Sequence, residues 1–328
     1  MLEDQDAELF YQLFFPLLDF VNKEYRICPE FETIDEDVDQ SAQKVVADYL
    51  WAHTRIIDIY LSETELPDEY AQIIAGWKQR KIGTFLLERH LKQGSVFISQ
   101  DDYKVYMVKS YVCTWEELLG TEPMLVEATL IPFRGSIISD GMELAYPGYL
   151  GGYSREGLKR KYTSAKEKNE ICCSLEPKKE WKPARKKNWE AVKSYVIQAA
   201  WAPDCYRHIR IGKQATLITL HTAILDAFDF DDDHCYVFYM NDRYRSKVDA
   251  YSSDALYMEG PSGCDVTLGQ LRLKKGNKFK FQYDFGDEWC FQCKVLQELE
   301  EDTDIPALIE SVGTAPDQYP PWDDGDEA

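Results

Sequence analysis

Positive charge is the first scarcity in this chain. Lysine and arginine number 37 against 58 aspartates and glutamates, for a formal net charge of -21 over 328 residues. Such a balance repels nucleic-acid backbone and anionic membrane surfaces as a whole, while leaving room for a local basic patch. Long apolar runs are missing too, and none approaches the ~20 residues a membrane span needs. The start, Met1-Leu2-Glu3-Asp4, lacks the basic opening of a signal peptide, so a cytoplasmic protein is expected. Nine cysteines form no paired framework, and Cys290-x-x-Cys293 has no second C-x-x-C to complete four zinc ligands. The alternation around that pair predicts a strand, which would turn the two thiols to opposite faces.

Chemical signatures are equally thin. Asp284-Phe285-Gly286 invites a kinase reading, but no glycine-rich loop, V-A-I-K-type lysine or H-R-D loop accompanies it. The glycines Gly148, Gly151 and Gly152 precede a helix without G-x-x-x-x-G-K-[ST], so they read as a structural turn. No serine-nucleophile motif or Cys-His arrangement stands out by spacing, and no cofactor is expected.

What the chain does contain is patterning for an α+β protein with more than one domain. Residues 1–80 read as helical. Leu9, Phe10, Leu13, Phe14, Leu17, Leu18 and Val21 keep a helical period, with Pro16 placed to kink or break the run. A second helix is expected over about 40 to 62, with His53 on its apolar side as a hydrogen-bonded core histidine. Over 81–175, short strands separated by turns predict a small β-barrel or curled sheet, closed by a helix that Ser154 caps. Residues 176–193 form a basic linker. Here Lys182, Arg185, Lys186 and Lys187 lie between Trp181 and Trp189, either gripping nucleic acid by phosphate contact and stacking or lying against the chain's own acidic surface.

From 194 to 300 the order is two strands, a helix capped by Thr216, a strand, a short helical turn and a closing hairpin. This ββαβ-ββ order resembles a β-grasp-like plan with one helix on a mixed sheet. The closing hairpin, Tyr283-Asp284-Phe285-Gly286-Asp287-Glu288-Trp289, gathers two carboxylates and an indole at its tip. Residues 301–328 read as an acidic, proline-containing, irregular tail.

Four residues in this last domain offer metal chemistry: His221 on the helix, His234 after Asp231-Asp232-Asp233, and the hairpin's Asp284 and Asp287. If they converged, two imidazoles and two carboxylates would suit a metal-dependent hydrolase. Each also has a structural reading. His221 could bond within the core, His234 could cap a turn, Asp287 could form the turn, and Asp284 could tie down its amides. Arg207 either pairs with a buried carboxylate or binds an anion. With Trp289, these five residues are the candidate ligand-binding set.

Several runs keep a familiar order and spacing: Pro203-x-x-Tyr206-Arg207-x-Ile209, Thr216-Leu217-x-x-Leu220-His221-x-x-Ile224, His234-x-x-x-Phe238, and Tyr283-Asp284-Phe285-Gly286-Asp287-x-Trp289. Together they resemble the plasmid pRiA4b ORF-3-like family over about residues 194 to 300. Residues 1 to 175, with Leu130-Ile131-Pro132-Phe133-Arg134-Gly135 and Asp140-Gly141, resemble an N-terminal extension of some bacterial members. The resemblance implies a compact α+β domain and, since some members are described as transposon passenger proteins, a link to mobile elements. It implies no defined activity. Phe291 stands where the family usually has a histidine, and a cysteine-, acid- and glycine-rich ending is reduced here to Gly313-Thr314-Ala315-Pro316-Asp317-Gln318-Tyr319. If that histidine served a metal, this chain lacks one ligand.

The leading expectation is a non-catalytic binding or adaptor protein for an unknown protein or small-molecule partner, with no membrane association. The alternatives are a metal-dependent hydrolase and a DNA-binding accessory of a mobile element.

Overall fold

A computed structural model describes residues 1–121, 123–150, 152–175, 188–253 and 265–319. The chain divides into two compact units, Met1–Leu50 with Ile56–Arg185, and Trp51–Arg55 with Lys186–Ala328. Both mix helices and sheet, as the α+β reading expects. No helix among the described residues is long and apolar enough to cross a membrane.

The first unit opens with α1 (Asp4–Tyr25), which runs unbroken through Pro16 and buries Phe10, Phe14, Leu17 and Val21. The helix expected over 40 to 62 is instead two, α2 (Gln40–Ala52) and α3 (Arg55–Glu63). The break has a visible cause within the second unit. Asp249 donates its amide to the Ala52 carbonyl at 2.8 Å, and its carboxylate accepts the Arg55 amide at 3.2 Å. The backbone amide and the side chain of one residue thus replace intrahelical partners of the interrupted turn. His53, at the break, is buried with Nε2 3.3 Å from the Ala250 carbonyl. Helix α4 (Asp68–Gly76) completes the opening helices.

Strands β1 (Lys81–Leu91), β2 (Gly94–Ser99), β3 (Val105–Val108), β4 (Met124–Phe133), β5 (Ser136–Ser139), β6 (Leu144–Tyr146) and β7 (Ile171–Cys172) form one sheet, with the short helix α5 (Trp115–Leu119) between β3 and β4. The path curls back on itself because β1 pairs with both β2 and β4. Strands β3 and β5 meet in only one parallel pair, Val108 with Ile137, so the sheet is curled rather than a complete barrel. Period-two alternation loads both faces. Phe85, Leu87, Phe97 and Trp115 share one cluster, while Leu86, Val96 and Ile98 pack with Leu158 and Tyr162 of α6 (Arg155–Glu167). Ser154 caps α6 by accepting the Gly157 amide at 3.1 Å.

The second unit is a seven-stranded sheet ordered β11-β10-β12-β13-β8-β9-β14. Its members are β8 (Ser194–Ala202), β9 (Cys205–Gly212), β10 (Tyr236–Tyr239), β11 (Ala250–Ser252), β12 (Lys278–Tyr283), β13 (Trp289–Leu299) and β14 (Ala307–Val312). Every pairing is antiparallel, where the β-grasp-like reading expected a mixed sheet. Alternation predicts strands, but neighbours such as β8 and β13 are chosen by packing across about a hundred residues of sequence, as in Ser194 opposite Leu299. Two strands escaped the pattern. β11 lies in a turn-rich stretch, and β14 lies in the tail read as irregular, where its exposed residues carry no alternation.

Helix α7 (Leu217–Phe228) covers one face of this sheet, with Leu217, Leu220, His221, Ile224, Leu225 and Phe228 turned inward. Thr216 caps it by accepting the Thr219 amide at 3.2 Å. Phe228 meets Phe291 at a ring separation of 4.9 Å, so phenylalanine at 291 is a core residue under the helix. On the opposite face Val237, Tyr239 and Ala250 pack with Tyr244 and Phe285. Cys290 and Cys293 separate as expected: Cys293 is buried, and Cys290 is 2.9 Å from the Tyr244 hydroxyl. The described cysteines are free thiols.

Candidate functional site

The hairpin joining β12 and β13 pairs Tyr283 with Trp289 and leaves five residues in the turn. Gly286 is not the residue with the left-handed backbone. Asp284 and Glu288 both have a φ of +53° instead. The strain is held by local bonds. The Asp284 carboxylate accepts the Gly286 amide at 2.7 Å, its carbonyl accepts the Glu288 amide at 2.8 Å, and its own amide donates to the Cys235 carbonyl at 3.0 Å. Asp284 is therefore a turn clamp. Asp287 is exposed at the tip, and Glu288 pairs with Arg245.

Below the turn, the Tyr283 hydroxyl organises the loop before β10. It accepts the amides of Asp233 and His234 at 2.8 and 3.0 Å and donates to the Asp231 carbonyl at 2.7 Å. Burial is the main reason its pKa is pushed up to about 12. The tail closes over the same loop. Gln318 accepts the Asp231 amide at 2.5 Å and returns a bond to its carbonyl at 3.1 Å, while the Tyr319 hydroxyl donates to Asp233 at 2.6 Å. That Tyr319 bond is the first cause holding the Asp233 carboxyl below its ordinary range.

The two histidines flank Tyr283 but face different carboxylates. His221, 1% exposed, places Nε2 2.9 Å from Asp232 and stacks on Tyr236 with ring centres 3.7 Å apart. Its Nδ1 is buried without a partner. The bonding assigns a neutral ring with the proton on Nε2, and burial lowers its pKa against the opposing pull of Asp232. His234 is more open, with Nε2 3.5 Å from Asp284 and 3.6 Å from Asp233. Among the described residues no group of three His, Cys, Asp or Glu side chains is placed to hold a metal ion.

Arg207 turns its guanidinium to backbone carbonyls. At 4% exposure it lies over the Phe228 ring and donates to the carbonyls of Ala227, Tyr206 and Val312 at 2.8, 2.9 and 2.8 Å. A cation at these carbonyls ties the end of α7 to the end of β14. The last candidate, Trp289, packs on Phe230 at 4.9 Å and on Trp201 at 6.3 Å, and its indole N–H is buried without a partner. Trp201 is 43% exposed. Lys182, Arg185, Lys186 and Lys187 lie outside the described residues; Trp189, at the linker's end, sits beneath the Lys274 ammonium at 5.4 Å.

The structure thus gathers His221, His234 and Asp284 around Tyr283, while Asp287 stays at the tip and Arg207 turns to backbone. Tyr283, Gln318, Tyr319 and Trp201 were missed as contributors. The Asp231-Asp232-Asp233 run hinted at the loop, but nothing in the sequence marks Gln318 as its partner 87 residues away.

Fold and site define a compact α+β domain of one helix against a seven-stranded antiparallel sheet. Residues 196–319 match the sequence model of the family described as plasmid pRiA4b ORF-3-like protein, so this C-terminal part of the chain carries that family's domain. Among solved structures, the chain is similar to a protein of unknown function from Methanosarcina mazei Go1. The two are 21% identical over 38% of this chain and 70% of the other, with a TM-score of 0.31. No curated protein matches the chain.

Proposed function

We propose that this is a cytosolic, non-catalytic binding protein whose C-terminal sheet presents an indole pair to a protein partner. The observation that carries the reading is Trp201 beside Trp289. One indole is 43% exposed, and the other holds a buried N–H with no acceptor. Tryptophan is the residue type most enriched among binding hot spots, because it buries a large apolar area and offers one donor. Binding is favoured over hydrolysis because Arg207 and His221 already direct polar atoms to internal partners. The partner would bring an apolar anchor and a neutral carbonyl oxygen, since the acidic tip at Asp287 and the net charge of -21 disfavour a carboxylate.

The test is a photo-crosslinking amino acid at position 201 in the full chain, expressed in its native host. A single dominant crosslinked protein is expected, and the same protein should be lost from purifications of a Trp289→Ala variant. Trp201→Ala should leave the melting temperature nearly unchanged, since that side chain is already half in water. A folded variant that loses a defined substrate turnover would overturn the reading, as would crosslinks spread over unrelated proteins.

A further inference from the structure

A cavity of about 520 Å³ lies in the first unit, apart from the residues discussed above. That volume falls within the range of small-molecule sites. Five aromatic side chains line it: Tyr11, Phe14 and Phe15 of α1, Tyr111, and Trp115 of α5. The charged residues lining it are all acidic, including Glu36 and Glu143, and no lysine, arginine or histidine is among them. Two of these residues each keep a buried polar atom without a hydrogen-bond partner: Trp115, 3% exposed, at its indole N–H, and Glu143 at Oε1.

The wall is a close fit in itself. Tyr11 and Tyr111 meet edge to face at 5.7 Å, and the Tyr111 hydroxyl is 3.2 Å from Ser139. Gly141 has a φ of +86°, and a Cβ there would stand 2.8 Å from the Tyr111 hydroxyl. The positive φ favours glycine where the loop passes this ring, and a Cβ would push on the Tyr111 hydroxyl. Burial raises the pKa of both Tyr111 and Glu143, and the carboxylate adds to the shift at the tyrosine.

Aromatic faces carry negative potential and attract cations, more strongly when water is excluded. Carboxylates within the same wall add to that attraction, and an unpaired indole N–H calls for an acceptor. We propose that this cavity binds a small organic cation, an ammonium on an apolar body that also carries a hydrogen-bond acceptor. The Glu143 carboxyl, which Ser139 and the Gly141 backbone hold on its other side, would turn its closed-off Oε1 to the ammonium, Trp115 would turn its closed-off N–H to the acceptor, and Tyr11, Phe15 and Tyr111 would enclose the body. Nothing in this inference depends on the indole pair of the second unit, so either can fail alone.

The experiment is calorimetric titration of the full chain with three near-isosteres: tyramine, the neutral alcohol tyrosol, and the anion 3-(4-hydroxyphenyl)propionate. Tyramine should bind at least about tenfold more tightly than either of the others. Glu143→Gln should erase that preference, and Trp115→Phe should weaken tyramine while leaving the preference for a cation. Both variants are first checked for a cooperative melt. If neither folds, the ranking on the unaltered chain decides. Equal affinities, a preference for the alcohol or the anion, or no tyramine binding at millimolar concentration would overturn the proposal. Unchanged tyramine affinity in a folded Glu143→Gln variant would overturn it as well.

Discussion

The Tyr283 hydroxyl serves two amides and one carbonyl of the loop that leads into β10. Removing it in Tyr283→Phe leaves the ring's packing intact but takes the acceptor from the part-buried amides of Asp233 and His234, while the Asp231 carbonyl keeps Gln318. The expected cost is about 1 kcal/mol, read as a shifted denaturant midpoint with an unchanged slope. An unchanged midpoint would mean that Gln318 and Tyr319 hold the loop alone. Asp284 and Arg207 make the same point at the level of single side chains. Each carried both a structural and a ligand-contact reading, because charged residues in an apolar context demand partners. The partners turned out to be a turn amide, for Asp284, and the carbonyls at the end of a helix and a strand, for Arg207. Sequence flags the demand for a partner, but the partner's identity depends on what the fold brings near.

Among elements, β14 illustrates how an edge strand evades a sequence reading. Its residues are mostly exposed, so no apolar alternation marks it, and its place beside β9 rests on backbone pairing, the His208–Glu310 contact at 2.6 Å and the Arg207 bond to the Val312 carbonyl. Its end is fixed by Gly313, which has a φ of +74°. A Cβ there would fall 2.2 Å from the Asp204 carbonyl oxygen and 2.9 Å from the Cys205 Cα, both backbone atoms. Gly313→Ala is therefore expected to destabilise the second unit by more than about 1 kcal/mol and to release β14 first. Hydrogen exchange should show lost protection on the β9 side that faces β14, with β12 and β13 little changed. Uniform loss across the sheet would instead make β14 part of one cooperative block. Strands with strong alternation were legible from sequence: β12 runs into the expected hairpin at Tyr283, and the β13 thiols separate to opposite faces. The cap residues Ser154 and Thr216 were equally legible, because capping is a local bond between neighbours in the chain.

For the molecule as a whole, the governing number is the net charge of -21. Mutual repulsion among so many carboxylates opposes compaction, and salt at 0.1 M screens it beyond about 10 Å. Raising sodium chloride from low to moderate concentration should lift the melting temperature by about 2–5 °C, a shift equivalent to roughly 1 kcal/mol. A falling melting temperature would show that ion pairs such as Arg134 with Asp6 and Glu69 outweigh the repulsion.

The sequence by itself determined the α+β class, the helix caps, the alternating strands and the family runs, all of which depend on residues near one another in the chain. Tertiary structure decided the rest. It set an antiparallel neighbour order, divided one expected helix at His53, closed the Tyr283 loop with Gln318 and Tyr319, and enclosed a cavity between Tyr11 and Glu143. The reason is one of range. Propensity, capping and periodicity act over a few residues, whereas a buried donor or an empty volume is defined by side chains that only folding brings together.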